Sequence, residues 1–275
     1  MRVVLFHRLT LVHRLTLVHR VALAALLMSG MLAGCATPPP ADDPDAVADF
    51  KETNDPLEPT NRVFYDVNDA IDTVLLRPLA EAYHYAVPDR VRNGVHNALD
   101  NLSSPVALAD DMLAGKSRRA GDTMMRFLIN STVGVGGIFE VADGWGYPRH
   151  QTDFGMAMAS WGVPPGPFLY LPMLGPTDPR DAVGFGVDMA LDPLTWVGTG
   201  QTVSILDWTR FGVSVVDARE RVLDPMDQIK KTALDPYGTF RSLYRQHRQG
   251  QIDKMRDDNR ATVPVWFAQP ATPAH

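Results

Sequence analysis

Few side chains in this sequence are typed and spaced for chemistry. Cys35 is the only cysteine, so disulfides within the chain and cysteine-based metal coordination are excluded. The histidines beyond it (His84, His96, His150, His247 and His275) are scattered, without a His-Glu-x-x-His pair, and no metal site is expected. Asp110-Asp111 would point about 100° apart on a helix, a poor acid/base pair. Gly134-Val135-Gly136 starts a dinucleotide fingerprint but meets Phe139 where the third glycine belongs, and Gly184-Phe185-Gly186 fails at Met189. There is no Gly-Lys-Ser/Thr phosphate loop, and Gly212-Val213-Ser214 lacks the closing glycine of a nucleophile elbow. No catalytic residue, metal or cofactor is expected.

The lone cysteine has a different chemistry available. It ends Leu32-Ala33-Gly34-Cys35, behind an arginine-dotted leader (Arg2, Arg8, Arg14, Arg20) and an apolar run from Val21 to Leu32. That run is a signal-peptide core, too short to span a bilayer. A small-residue cleavage site ending on cysteine resembles the bacterial lipobox, so residues 1–34 are expected to be removed and Cys35 to carry lipid. Two or three acyl chains, at about 0.8 kcal/mol per buried methylene, anchor a protein for good. Ala36, not aspartate, follows, the sorting pattern of an outer-membrane lipoprotein. Within the leader, His7 to Val12 recurs as His13 to Val18, which carries the expectation of a downstream translation start. N-terminal sequencing of accumulated precursor tests it, and residues before Val12 would end the idea.

Removing residues 1–34, which hold four arginines and no acids, takes the net charge from −6 to −10. An acidic body is a poor nucleic-acid ligand and gains nothing electrostatically from anionic lipid, so membrane contact beyond the anchor must rest on apolar surface. Two local features remain as candidates. Gly134, Gly136 and Gly137 allow positive φ and close backbone approach, as a hinge or as the narrow wall of a conduit. Lys116, Arg118 and Arg119 form a small cationic cluster able to meet lipid phosphates, or simply a solvated helix start.

The elements around these residues read as helices. Residues 35–53, with Pro38-Pro39-Pro40, form a flexible lipidated tether, 54–248 the folded domain, and 249–275 a disordered tail. Val63/Phe64, Val67, Ala70/Ile71 and Val74/Leu75 mark an amphipathic helix stopped at Pro78. A second runs from Val91 to Leu102, a third from Pro105 to Gly115, and a fourth from Ala120 to near Gly134. Six Asp-Pro pairs, at Asp43, Asp55, Asp178, Asp192, Asp224 and Asp235, signal helix starts with the carboxylate as cap. Thr202–Leu223 is apolar on more than one face, as in a helix buried in protein or turned to lipid. Phe168 to Leu171, ringed by prolines, reads as extended loop. The fold class is all-α.

Asn54-Asp55-Pro56-Leu57-Glu58-Pro59-Thr60-Asn61-Arg62 resembles the MlaA (VacJ) family of outer-membrane lipoproteins. The likeness continues through Leu76-Arg77-Pro78-Leu79, Val87-Pro88, Arg92-Asn93-Gly94 and Arg126-Phe127-Leu128-Ile129-Asn130 with the glycine turn. It is densest in Asp153-Phe154-Gly155, Trp161-Gly162-Val163, Gly166-Pro167-Phe168-Leu169, Leu171-Pro172, Gly175-Pro176 and Arg180-Asp181, and closes at Asp235-Pro236-Tyr237. The resemblance implies a ring-shaped helical domain with amphipathic helices embedded in the inner leaflet of the outer membrane, and a central amphipathic channel. It also implies a trimeric porin as partner, and removal of phospholipid misplaced in the outer leaflet. The lipid would pass to a periplasmic lipid-carrier protein and through it to an inner-membrane ABC transporter. The long leader and Pro59-Thr60, where many relatives have Gly-Phe, depart from the pattern. The competing expectation from another class is a membrane-tethered lipid hydrolase built from dispersed residues.

Overall fold

The computed structural model describes residues 53–196 and 201–258, together with 40, 43, 47 and 50. Cys35, the leader and nearly all of the tether lie outside the described residues, as do positions 259–275. Helices run in the order α1 (Glu58–Ile71), a π turn (Asp72–Leu76), α2 (Arg77–Ala86), α3 (Asp89–Leu113), α4 (Ser117–Thr132) and α5 (Phe154–Ser160). A two-stranded ribbon, β1 (Leu169–Leu171) with β2 (Gly175–Thr177), precedes α6 (Pro179–Leu191), α7 (Pro193–Trp196), α8 (Gln201–Glu220), α9 (Leu223–Thr232) and α10 (Pro236–Asp257). The fold is all-α apart from that ribbon.

Three departures from the sequence expectations stand out, the first two at proline. Pro78 does not stop the first helix; the chain widens into the π turn and continues through α2, with Pro78 at the second position. A proline has no N–H to give and its ring crowds the preceding turn, and a widened turn relieves both. The second and third expected helices are one, α3, with Pro105 inside it. Just ahead of the proline, the hydroxyls of Ser103 and Ser104 donate to the carbonyls of Leu99 and Asp100 at 3.1 and 3.2 Å. At the far end, α10 continues to Asp257 with Ile252 and Met255 buried, so 249 is not the start of a disordered tail.

Aspartate caps act as expected at Asp178, whose carboxylate accepts from Asp181 N at 2.9 Å. Asp55 does other work: buried, it accepts from Asn61, Arg241 and the Tyr237 hydroxyl. Asp224 lies inside the first turn of α9. The segment expected as loop at 168–171 supplies β1, paired antiparallel with Leu169 opposite Thr177 and Leu171 opposite Gly175. Helix α1 braces its free edge. Asn61 accepts from Tyr170 N at 2.9 Å and donates to Phe168 O at 3.1 Å, while Asn68, two turns on, bonds Leu171 O and Met173 N.

Two apolar clusters are buried. Phe168, Tyr170 and Tyr237 pack with Phe64, Tyr65 and Tyr244, the rings mostly edge to face. Met156, Ala159, Ile252 and Met255 form the other. Helices α5 and α6 cross nearby, backbone to backbone: a methyl at Gly184 would lie 2.5 Å from Gly155 N.

Candidate functional site

On α1, α4 and α8 many polar side chains face inward and large apolar ones outward, opposite to a water-soluble domain. On α1 and the π turn, Asn61 and Asp72 are buried while Val63, Val67, Val74 and Leu75 are exposed, Val74 to 80%. On α4, Arg119, Asp122, Thr123, Arg126 and Asn130 face inward, and Met124, Met125 and Leu128 outward. On α8, Asp217 and Arg219 are buried, whereas Ile205, Leu206, Trp208 and Phe211 are exposed, Trp208 to 74%. The sequence left α8 open between core and lipid contact; these four side chains are not core. Buried polar groups and large exposed apolar patches are the informative exceptions to ordinary burial. Among the described residues no helix is long and apolar enough to cross a membrane.

The inward charges are paired across elements. Arg219 grips Asp72 through Nε at 2.6 Å and Nη2 at 3.0 Å, with Lys230 Nζ at 2.8 Å. Burial alone would raise the Asp72 pKa, but the Arg219 and Lys230 bonds outweigh it and hold it below the usual carboxylate range. Glu220 receives His84 and Arg92, and Asp217 receives His96 and Arg221, tying α8 to α2 and α3. Arg248 holds both Asp153 and Asp181 at 2.5–2.8 Å, joining α10 to the starts of α5 and α6.

The adjacent carboxyls Asp110 and Asp111, both fully buried, have opposite surroundings. Asp111 accepts from Thr152, Thr123, His150 and Arg119 at 2.6–3.4 Å. Burial would raise it, yet the bonds from His150, Thr152 and Thr123 keep it low. Asp110 has no such donors; burial and then the negative charges of Asp188 and Asp153 push it up to about 8. Asp188 on α6 is pushed up to about 6, first by burial. Both carboxyls are thus held above the ordinary carboxylate range, by burial first and then by neighbouring negative charge. Thr123 and His150 Nε2 both converge on Asp111 Oδ2. Thr123 Oγ1 also lies 2.9 Å from His150 Nε2, so the three groups form one closed hydrogen-bonded cluster.

The glycine turn joins α4 to the segment that follows. Gly137 has φ +90° and a Cβ there would collide with Asn101 on α3; Gly136 has φ +70° with open space around it. Gly136 N and Gly137 N donate to Ser131 O and Asn130 O at 3.0 and 2.7 Å, and Asn101 Nδ2 reaches Ser131 Oγ at 2.9 Å. Gly134 packs against Asn130 and Phe139 backbone. Val133, Val135, Ile138 and Phe139 on the same turn are exposed. Such bonding describes a fixed, apolar-tipped turn more than a hinge.

The cationic cluster does not survive as a unit. Arg119 is buried on Asp111, Thr152 and Asp258; Lys116 donates to Arg256 O at 2.9 Å; Arg118 is exposed. An inward arginine is already committed, which a sequence run of cations cannot show. His84, His96 and His150 are each held by a carboxylate.

Two of the clefts bordering this interior bear on function. One of about 310 Å³ lies between α1, the ribbon and α9, lined by charged Asp72, Arg219 and Lys230 and by apolar Ile71, Leu76, Met173, Leu174 and Met226. A larger groove of about 820 Å³ runs along α10. Sequence reasoning missed Arg241, Arg245 and Arg248 along it, although their i, i+4, i+7 spacing was a readable stripe.

The family model described as MlaA lipoprotein matches residues 53–251. The Haemophilus influenzae intermembrane phospholipid transport system lipoprotein MlaA is 32% identical over 234 residues, 84% of this chain and 90% of its own length. The Escherichia coli protein of the same name is 31% identical over 226 residues, 80% and 84% of the two chains. An uncharacterized Rickettsia felis protein is 34% identical over 202 residues, 73% and 79%. A solved chain from work on the structural basis for maintenance of bacterial outer membrane lipid asymmetry superposes with a TM-score of 0.62 at 29% identity, covering 72% of this chain and 98% of that one.

Proposed function

The chain belongs to the MlaA lipoprotein family, and from that premise we propose that it is the outer-membrane lipoprotein of an intermembrane phospholipid transport system. Anchored through Cys35, its ring-shaped helical body sits in the inner leaflet and draws misplaced phospholipid from the outer leaflet through an amphipathic channel. The observation that carries this is the inversion: Val74, Trp208, Phe211 and Phe139 outside, Asp72, Asp111 and Arg219 inside.

The physical problem suits such a body. Each acyl methylene brought into water costs about 0.8 kcal/mol, and a headgroup crossing hydrocarbon without partners costs several kcal/mol. An apolar exterior with a polar interior lowers both barriers. The 310 Å³ cleft, lined by both charged and apolar side chains, has the amphipathic character such a path needs. The glycine turn of Gly134, Gly136 and Gly137, packed on α3 away from that cleft, serves as a wall of the channel. With no nucleotide motif in the sequence, direction comes from partners that bind the product: a trimeric porin beside the body, a periplasmic carrier below it, and an ABC transporter beyond.

The test is outer-leaflet phospholipid labelling in a strain lacking this gene, with and without the gene restored. Restoration should return surface phospholipid to the wild-type level; no difference between strains would end the proposal. Incubating the purified protein with labelled phospholipid addresses the hydrolase, which alone would release lysophospholipid or fatty acid.

A further inference from the structure

The 820 Å³ groove along α10 has an excess of positive side chains in an acidic protein. Its charged lining is Arg180, Arg241, Arg245 and Arg248 against Asp178 and Asp253, in a chain of net charge −6. The arginines are positioned from behind. Arg248 is consumed by Asp153 and Asp181. Arg241 spends Nη1 on Asp55 at 2.8 Å and lies 5.5 Å from the Tyr237 ring, and Arg245 gives Nη1 to Thr53 O. Arg180, itself buried, gives Nε to Asp181 at 3.0 Å. Among the described residues, Nη1 of Arg180 and Nε and Nη2 of Arg241 meet no hydrogen-bond acceptor. Phe168 and Ile252 add apolar wall.

The guanidinium forks of Arg180 and Arg241, held by carboxylates on one edge and open on the other, suit a tetrahedral oxyanion with two free oxygens. A cavity of this size falls in the range of small-molecule sites and holds a glycerophosphodiester with room to spare. We propose that this groove is a phosphate-ester site, in which Arg241 on α10 and Arg180 on α6 take the phosphodiester of a glycerophospholipid headgroup. The chemistry is set by the groove; the choice of lipid as its source rests on the transport reading above.

The experiment measures binding calorimetrically to the full lipidated chain in nanodiscs. Three ligands are compared: monomeric dihexanoyl phosphatidylglycerol, acyl-free glycerophosphoglycerol, and phosphate-free dihexanoylglycerol. Arg241→Gln should weaken both phosphate ligands at least tenfold and leave the third unchanged. Because Arg241 also braces Asp55, a second variant keeps every arginine: Gln246→Glu sets a carboxylate in the groove lining, from a side chain bonded only to Ser242, and should weaken the same two ligands several-fold. A preference of tenfold or more for the short-chain lipid over the acyl-free ester identifies the membrane as source, and equal affinities identify a soluble ester. Phosphate-ligand affinities unchanged in both variants overturn the site. Failure of restored cells to clear surface phospholipid would sink the transport reading without touching this measurement.

Discussion

Asp72 and Arg219 meet in a two-pronged ion pair across 147 residues of sequence, both buried, joining the π turn after α1 to the last turn of α8. Removing one partner leaves the other charge buried without compensation, a loss of about 3–5 kcal/mol. Asp72→Leu should therefore lower the denaturation midpoint sharply, whereas Asp72→Leu with Arg219→Met should recover much of it, measured in detergent. The folded-state pKa of Asp72 is depressed, so its contribution is present above the unfolded carboxylate pKa. It is lost as pH falls through the folded value, and the gap between wild type and Asp72→Leu should close in acid.

Asp110 and Asp188 predict the opposite slope. Both are raised, to about 8 and about 6, by burial first. Their stabilising protonation is complete below the unfolded pKa and is lost as pH climbs through the folded values. Asp110→Asn, which cannot ionise, should be more stable than wild type at pH 9 by about 1–2 kcal/mol and should flatten the fall between pH 6 and 9. A wild-type midpoint constant across that range would count against the raised carboxyls.

The two positive-φ glycines should differ in sensitivity. Gly137→Val strains a backbone at φ +90° and drives a branched side chain into Asn101, costing about 3 kcal/mol or more. Gly136→Ala meets open space and suffers only the φ cost, about 1 kcal/mol. Thermal unfolding separates them, and equal midpoints would show the packing against α3 to be unimportant.

The exposed apolar face of α8 should matter for membrane partition and not for folding. Leu206→Glu with Trp208→Glu removes two exposed apolar groups, worth about 1.5–3 kcal/mol each when buried in hydrocarbon. In a Cys35→Ser background, flotation with liposomes should drop more than tenfold while helicity in detergent is unchanged. Undiminished flotation would show that this face does not touch lipid.

Periodicity is a local property, and what it controls was legible. The helices, the Asp178 cap and the family pattern all follow from residue types at short spacing, without reference to distant parts of the chain. Proline was over-read. Its effect at Pro78 and Pro105 depends on whether the turn around it can widen or whether serine hydroxyls can serve nearby carbonyls, and residue type alone does not settle either. Strand β1 was hidden because half its edge is completed by Asn61 and Asn68, side chains of a helix more than a hundred residues earlier.

That this chain is helical, acidic and a member of one family is written in composition and short-range order, and can be read without a fold. Which way the helices face is settled by long-range packing alone. An amphipathic stripe has the same period whether its apolar side is turned to a core or to lipid. The choice is made by long-range pairs such as Asp72 with Arg219 and Asp55 with Tyr237, which draw the polar faces together and leave the apolar ones outside.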